Sequence, residues 1–179
     1  PYIQRVVAEL PAGGDLTAAV AAASVSVDNP GVIRLAAGEY SIPGRLKLKP
    51  GLVLRGISRE QTHLLSELDE MVSPYGVGEA HAIELASHSA LEDLTVSNRH
   101  VLAKDPSSYA GKYDNPGAPC SGLVRVGGKC SNAWIQRCAL THAGSNPLSI
   151  SGKHFTLRDS LVDHAYNKGQ RLVSKLKDL

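Results

Sequence analysis

One eight-residue pattern occurs three times between Ala82 and Asn167, and it constrains the fold more than any other feature of the chain. Its copies are Leu91-Glu-Asp-Leu-Thr-Val-Ser-Asn98, Ile135-Gln-Arg-Cys-Ala-Leu-Thr-His142 and Leu157-Arg-Asp-Ser-Leu-Val-Asp-His164. Each reads apolar, any, polar, small or apolar, any, apolar, any, and then Asn or His. A short apolar alternation precedes each copy by six to nine residues: Ile83-Glu-Leu85, Val124-Arg-Val126 and Leu148-Ser-Ile150. The last two copies start 22 residues apart and the first two 44, with a Pro/Gly/Ser-rich stretch between them. Short strands recurring at such a period predict a stacked solenoid, in which each repeat buries its apolar side chains against its neighbours.

The chain of 179 residues fits one domain. Its formal net charge of +2 comes from scattered Lys and Arg, so no basic field calls for nucleic acid. No run of about 18 apolar residues is present, so no membrane-spanning helix is expected. With Pro1 opening mid-domain, no signal peptide is expected within these residues, and a cleaved leader or a trimmed chain is possible. Aromatic residues are 4% of the total, and aliphatic and small residues dominate, as flat stacked coils require. Of the three cysteines, Cys138 occupies an inward position of the repeat and reads as a small buried hydrophobe. Cys120 and Cys130 flank a short strand and could pair in an oxidising compartment. No CxxC spacing and no His spacing among His63, His81, His88, His100 and His154 marks a metal site. Calcium could bind clustered carboxylates, but there is no dense Asp run, and no cofactor is expected.

Taken in order, residues 1–10 alternate weakly and predict a lead-in strand. Asp15 is a good N-cap for an Ala-rich helix over about 16–27, with Leu16, Ala19, Val20 and Ala23 on one face. Strands follow at Val32–Leu35, Tyr40–Ile42, Leu46–Leu48 and Leu52–Leu54. Leu48 and Leu54 are spaced like Leu85 and Leu91, which predicts an earlier coil without the terminal Asn or His. Residues 58–80 and 99–120 leave the pattern and read as excursions from the stack, of the kind that is usually functional or mobile. The tail 169–179 has Leu172, Val173, Leu176 and Leu179 at helical spacing and suits a cap over an open end.

The opening Gly14-Asp-Leu-Thr-Ala-Ala-Val and Val32-Ile-Arg-Leu-Ala-Ala-Gly-Glu-Tyr40, followed by the three repeats, resembles the right-handed parallel β-helix proteins of the pectate-lyase-like superfamily. The resemblance extends to about Gly169. It implies an all-β fold, a right-handed single-stranded parallel β-helix of about five coils with an N-terminal capping helix. It further implies a carbohydrate-active protein, extracellular, periplasmic or on the cell surface. The chain departs from the family's enzymes in its few coils and lacks the signature catalytic motifs of the lyases. Physics supports the fold separately: parallel strands need crossovers, and in a β-helix each coil is its own crossover, while the open ends need covers.

Aligned copies make columns. Asn98, His142 and His164 form one, and Asp93, Arg137 and Asp159 another. Polar groups repeating about 4.8 Å apart on one face suit an extended saccharide. Elimination needs a base and cations: His142 or His164 could serve as the base, and Arg137, Arg158 or Lys168 as the cation. Hydrolysis needs two carboxylates about 5–9.5 Å apart, which Asp163 with Asp159 or Asp93 could supply. The site is expected on the outer face where His142, Asp163 and His164 meet, with segment 99–120 as a wall. That wall carries Tyr109 and Tyr113 for stacking on sugars, and Asn98, Tyr166 and Asn167 complete the binding set. The competing reading makes the Asn/His column a turn ladder that satisfies backbone groups and the arginines surface charges. Two function classes follow. One is a polysaccharide lyase or hydrolase. The other is a non-catalytic β-helix, whether a glycan-binding module, a tailspike- or adhesin-like protein or a fragment of a larger one. The expected partner is a polysaccharide or oligosaccharide, with no nucleic acid and no membrane span, and homo-oligomerisation stays open.

Overall fold

The computed structural model describes residues 3–68, 81–102 and 121–163. These residues form fifteen short strands and two helices. From β2 onward the strands visit three parallel sheets in strict rotation. Sheet A holds β1 (Val6–Leu10), β2 (Gly31–Leu35), β5 (Leu52–Arg55), β8 (Ala90–Glu92), β11 (Trp134–Gln136) and β14 (Thr156–Arg158). Sheet B holds β3 (Gly38–Ile42), β6 (Thr62–Ser66), β9 (Thr95–Asn98), β12 (Ala139–Leu140) and β15 (Leu161–Val162). Sheet C holds β4 (Leu46–Lys47), β7 (His81–Leu85), β10 (Gly122–Val126) and β13 (Leu148–Ile150). The chain runs from C to A to B and then starts the next coil, so this is a parallel β-helix.

The register stacks the aliphatic positions as the pattern predicts. In sheet A, Ile33 pairs with Leu54, Leu54 with Leu91, Leu91 with Ile135 and Ile135 with Leu157. In sheet B the column is Tyr40, Leu64, Val96, Leu140 and Val162. Sheet C contributes Leu46, Ile83, Val124 and Leu148. Most of these side chains are fully buried, and together they make one continuous core. Burial weakens in the last described coil, where Leu157 and Val162 are half-buried and Leu161 is 47% exposed.

Corners between sheets are made by single left-handed residues. Asp93, Arg137 and Asp159 have φ of 56°, 51° and 50° between sheets A and B. His88, Asn132 and His154 have φ of 58°, 56° and 53° between sheets C and A. In the first coil the second corner is Gly51, at φ 79°, where a Cβ would lie 2.1 Å from the Ser26 carbonyl oxygen. Only glycine fits there.

The N-terminal helix covers the first coil. α1 (Leu16–Ala22) starts at Asp15, whose carboxylate accepts from the Ala18 amide at 2.9 Å, and it buries Leu16 and Val20. It ends five residues before Val27, where the sequence predicted its end. Val25 and Val27 are β-branched, and Ser26 and Asn29 exchange backbone hydrogen bonds in a turn of their own. Lys49 fixes the stop by donating to the carbonyls of Ala21 and Ala23 at 2.6 and 2.8 Å. A second difference lies within 58–80. Thr62–Ser66 is not part of an excursion but strand β6, paired with β3 and β9. Leu64 enters the interior column that Tyr40 and Val96 continue, and its burial outweighs the departure of the neighbouring sequence from the repeat. Residues 69–80, most of the 99–120 segment and the 169–179 tail lie outside the described residues; α2 (Arg99–Leu102) is a single turn at the start of the second segment.

Candidate functional site

The corner after sheet B is where the sequence placed the site. Asn98 and His142 are adjacent there, with the Asn98 amide donating to the His142 carbonyl at 3.2 Å. Asn98 is fully buried and its side chain is fully engaged. Its Nδ2 donates to the Leu68 carbonyl and to Ser121 Oγ, both at 2.8 Å, and its Oδ1 accepts from the amides of His100 and Val101. Asn98 therefore caps α2 and braces the corner, which is the turn-ladder reading. His142 is half-buried in a left-handed turn at φ 56°. Asp163 is exposed, and its amide donates to Leu140 at 3.0 Å. This places Asp163 in the row of Thr141, one residue before that of His142. His164, Tyr166, Asn167, Lys168, Tyr109 and Tyr113 lie outside the described residues.

Arg137 is committed to its own column. Its Nε and Nη2 donate to the two carboxylate oxygens of Asp93 at 2.6 and 2.7 Å, a bidentate pair between adjacent coils. The pair holds the Arg137 guanidinium well above its ordinary pKa. Arg158 bonds its neighbour Asp159 at 3.1 Å. The A/B corner thus carries two internal ion pairs, one between adjacent coils and one within the last described coil.

The outer face of sheet A is closed as well. Glu92 is 1% exposed. One of its oxygens accepts from Arg55 Nε, and the other accepts from Trp134 Nε1 and Gln136 Nε2, both at 2.8 Å. Arg55 also donates to the Ile3 carbonyl at 3.0 Å, and Ile3 and Trp134 pack on Val32, Val53 and Ala90. Every donor and acceptor named here is used internally, as a buried carboxylate requires.

The outer face of sheet C differs. Lys47, Glu84, Arg125 and Ser149 occupy successive rungs of one ladder. Lys47, Glu84 and Arg125, with the turn that follows Arg125, line an open cleft of about 440 Å³. Its floor is Leu48, Leu85 and Cys130, all buried, and its rim includes Pro50, Ser87, Gly127, Gly128 and Lys129. Three cations, Lys47, Arg125 and Lys129, face one carboxylate, Glu84. Lys47 Nζ reaches Glu84 Oε2 at 3.9 Å. Arg125 and Lys129 are exposed, with no ion pair among the described residues. Burial, and secondarily the Glu84 charge, pushes the Cys130 thiol up at the floor of the cleft. Both Cys130 and Cys138 are free thiols. Such a cleft can hold an anionic group against cations above an apolar floor.

These residues were not among those the repeat singled out, although the signal was present. Lys47, Glu84 and Arg125 are the middle residues of the alternations Leu46-Lys-Leu48, Ile83-Glu-Leu85 and Val124-Arg-Val126. Period-2 geometry turns a residue outward when its two neighbours turn in. Among the described residues no group of three or more His, Cys, Asp or Glu could hold a metal ion, and no helix is long and apolar enough to cross a membrane.

No protein-family model and no curated relative matches the sequence. Solved structures do match the fold. The chain is similar to the pectin methylesterase PemA from Erwinia chrysanthemi, with 19% identity and a TM-score of 0.67 over 89% of this chain and 49% of that one. It is similar to a pectin methylesterase mutant in complex with a hexasaccharide, with 18% identity and a TM-score of 0.66 over the same shares. It is also similar to a mutant of the PL6 family alginate lyase AlyGC, with 16% identity and a TM-score of 0.52 over 93% of this chain and 22% of that one. The chain spans about half the length of the pectin methylesterases it matches. The likeness establishes the fold as a right-handed parallel β-helix.

Proposed function

We propose that this chain is a carbohydrate-active β-helix protein that takes an acidic polysaccharide outside the cell, with the sheet C cleft as its binding site. The observation that carries the reading is the cleft itself, in which three cations and one carboxylate line an open groove on a solvent-facing sheet. The ladder beneath it repeats every rung, about 4.8 Å, which suits an extended polymer better than a compact ligand. The matched structures support the class of ligand: two are pectin methylesterases, one of them in complex with a hexasaccharide, and one is an alginate lyase.

Of the two reactions considered, the cleft favours elimination. Cations beside a sugar carboxylate stabilise the charge that develops when the neighbouring proton passes to a base, and in the described lining of the cleft the acceptor would be Glu84. Hydrolysis needs a pair of carboxylates, and the described lining of the cleft supplies one, Glu84. Calorimetric titration with oligogalacturonate and oligomannuronate tests binding, and absorbance at the unsaturated-uronate band, with reducing ends followed separately, tests chemistry. The reading expects saturable binding that Arg125→Ala weakens. Binding with silence in both assays makes the protein a glycan-binding module. Absence of binding by either oligosaccharide overturns the reading.

A further inference from the structure

The sheet C ladder carries its charges in the order plus, minus, plus. Lys47, Glu84 and Arg125 stand on consecutive rungs, so the backbone positions of the two cations are about 10 Å apart with that of the carboxylate between them. The Glu84 carboxylate is not turned away from the cleft. Its Oε2 lies 3.9 Å from Lys47 Nζ, and its Oε1 lies 3.5 Å from where a Cβ on Gly127 would be. From its own coil it thus reaches Lys47 on one side with one oxygen and the turn that follows Arg125 on the other with the second. Its side chain is 41% exposed, so a ligand in the cleft meets the charge. Gly127 leaves room for the ligand beside it.

We infer that Glu84 makes the cleft selective for an acidic polysaccharide in which an uncharged unit lies between two anionic ones. The inference rests on the cleft being the glycan site. A chain of pyranose sugars laid along the helix axis advances by about one unit per rung, because a sugar and a strand spacing are of similar length. The units over Lys47 and over Arg125 with Lys129 meet cations. The unit over Glu84 meets a carboxylate, which repels an anion and accepts hydrogen bonds from neutral hydroxyls. Repulsion placed at one subsite discriminates between ligands that the attractive contacts alone would not separate.

The test compares two oligosaccharides of equal length: an oligogalacturonate with every unit anionic, and the same oligomer with about half its carboxyls reduced to the neutral alcohol. Calorimetric dissociation constants are measured for the full chain and for Glu84→Gln, which keeps the size and hydrogen bonding of the side chain. The parent is expected to prefer the partly reduced oligomer although it carries less charge. Glu84→Gln is expected to tighten the fully anionic oligomer about tenfold and to move the reduced one less than threefold. Binding of both oligomers with the same preference in parent and variant overturns the role of Glu84 and leaves the cleft standing. Absence of binding by both proteins overturns the cleft reading together with this inference. Unchanged melting of Glu84→Gln separates either result from misfolding.

Discussion

Two charged columns run along this molecule, and each lies over a cysteine. At the A/B corner, Asp93, Arg137 and Asp159 alternate in sign; Asp93 and Arg137 form a bidentate pair at 2.6 and 2.7 Å, and Asp159 bonds its neighbour Arg158. Beneath them Cys138 is fully buried, and its thiol is pushed up to about 12, first by burial and then by nearby charges that include Asp93 and Glu92. On sheet C, Lys47, Glu84 and Arg125 also alternate in sign. Their one ion pair is long, at 3.9 Å, and Arg125 has none among the described residues. Beneath them Cys130 is 6% exposed. The difference is geometric. At the corner a carboxylate of the neighbouring coil meets Arg137 with both oxygens, whereas on the sheet C rungs Glu84 meets Lys47 only at 3.9 Å and Arg125 stands exposed; rungs also close where a partner is in reach, as Arg55 and Glu92 do on sheet A. Alternating charge ties adjacent coils together in the first setting and is left largely toward solvent in the second.

The largest effect is expected from the interior that both columns share. Leu91→Ala and Ile135→Ala remove fully buried side chains from the sheet A column, and each should cost about 2–5 kcal/mol in denaturant unfolding. Leu157→Ala, half-buried in the last described coil, should cost clearly less. Equal losses at the two ends would mean that the stack is as tightly covered at Leu157 as at Ile135.

The thiols sharpen the contrast through pH. A folded-state pKa raised to about 12 means that the stabilising contribution of Cys138 is complete below about pH 9 and is lost as pH rises from there. Over that window the parent should lose stability relative to Cys138→Ala by up to about 1.4 kcal/mol per pH unit. A difference that stays constant from pH 8 to 11 would show that the closed column does not enforce a protonated thiol. In a Cys120→Ser background, a thiol reagent should modify Cys130 before Cys138, and the reverse order would break the comparison.

Removing an open-column cation should change binding and not stability. Arg125→Ala should weaken oligogalacturonate about tenfold, or about 1.4 kcal/mol, with unfolding free energy within about 0.5 kcal/mol of the parent. The smallest effect is expected at the closed column. Arg137→Ala breaks a partly exposed pair and should lower stability by less than about 1 kcal/mol while leaving glycan affinity unchanged. A weakened affinity in Arg137→Ala would return the A/B corner to the binding site.

Much of the fold was legible because its determinants are local. The inward columns of Leu91, Ile135 and Leu157, and of Val96, Leu140 and Val162, follow from period-2 alternation within each coil. The cap at Asp15 follows from its side chain and the Ala-rich run after it. β6 was not legible, since Thr62–Ser66 is identified as a coil strand by its neighbours in β3 and β9. The early end of α1 depends on Lys49, a residue 26 positions beyond its C-cap partner Ala23.

The candidate site divides in the same way. The Asn/His column was visible as a repeat. That Asn98 spends its side chain on Leu68, Ser121 and the start of α2 depends on contacts up to 30 residues away. That this protein winds into coils, which side chains turn inward and which residues align along the axis all follow from alternation and spacing along the chain. Which aligned charges neutralise one another and which face solvent is settled by the stacking of the coils. That outcome depends on whether the neighbouring coil brings a partner within hydrogen-bonding reach, as Asp93 does for Arg137 and as no described residue does for Arg125.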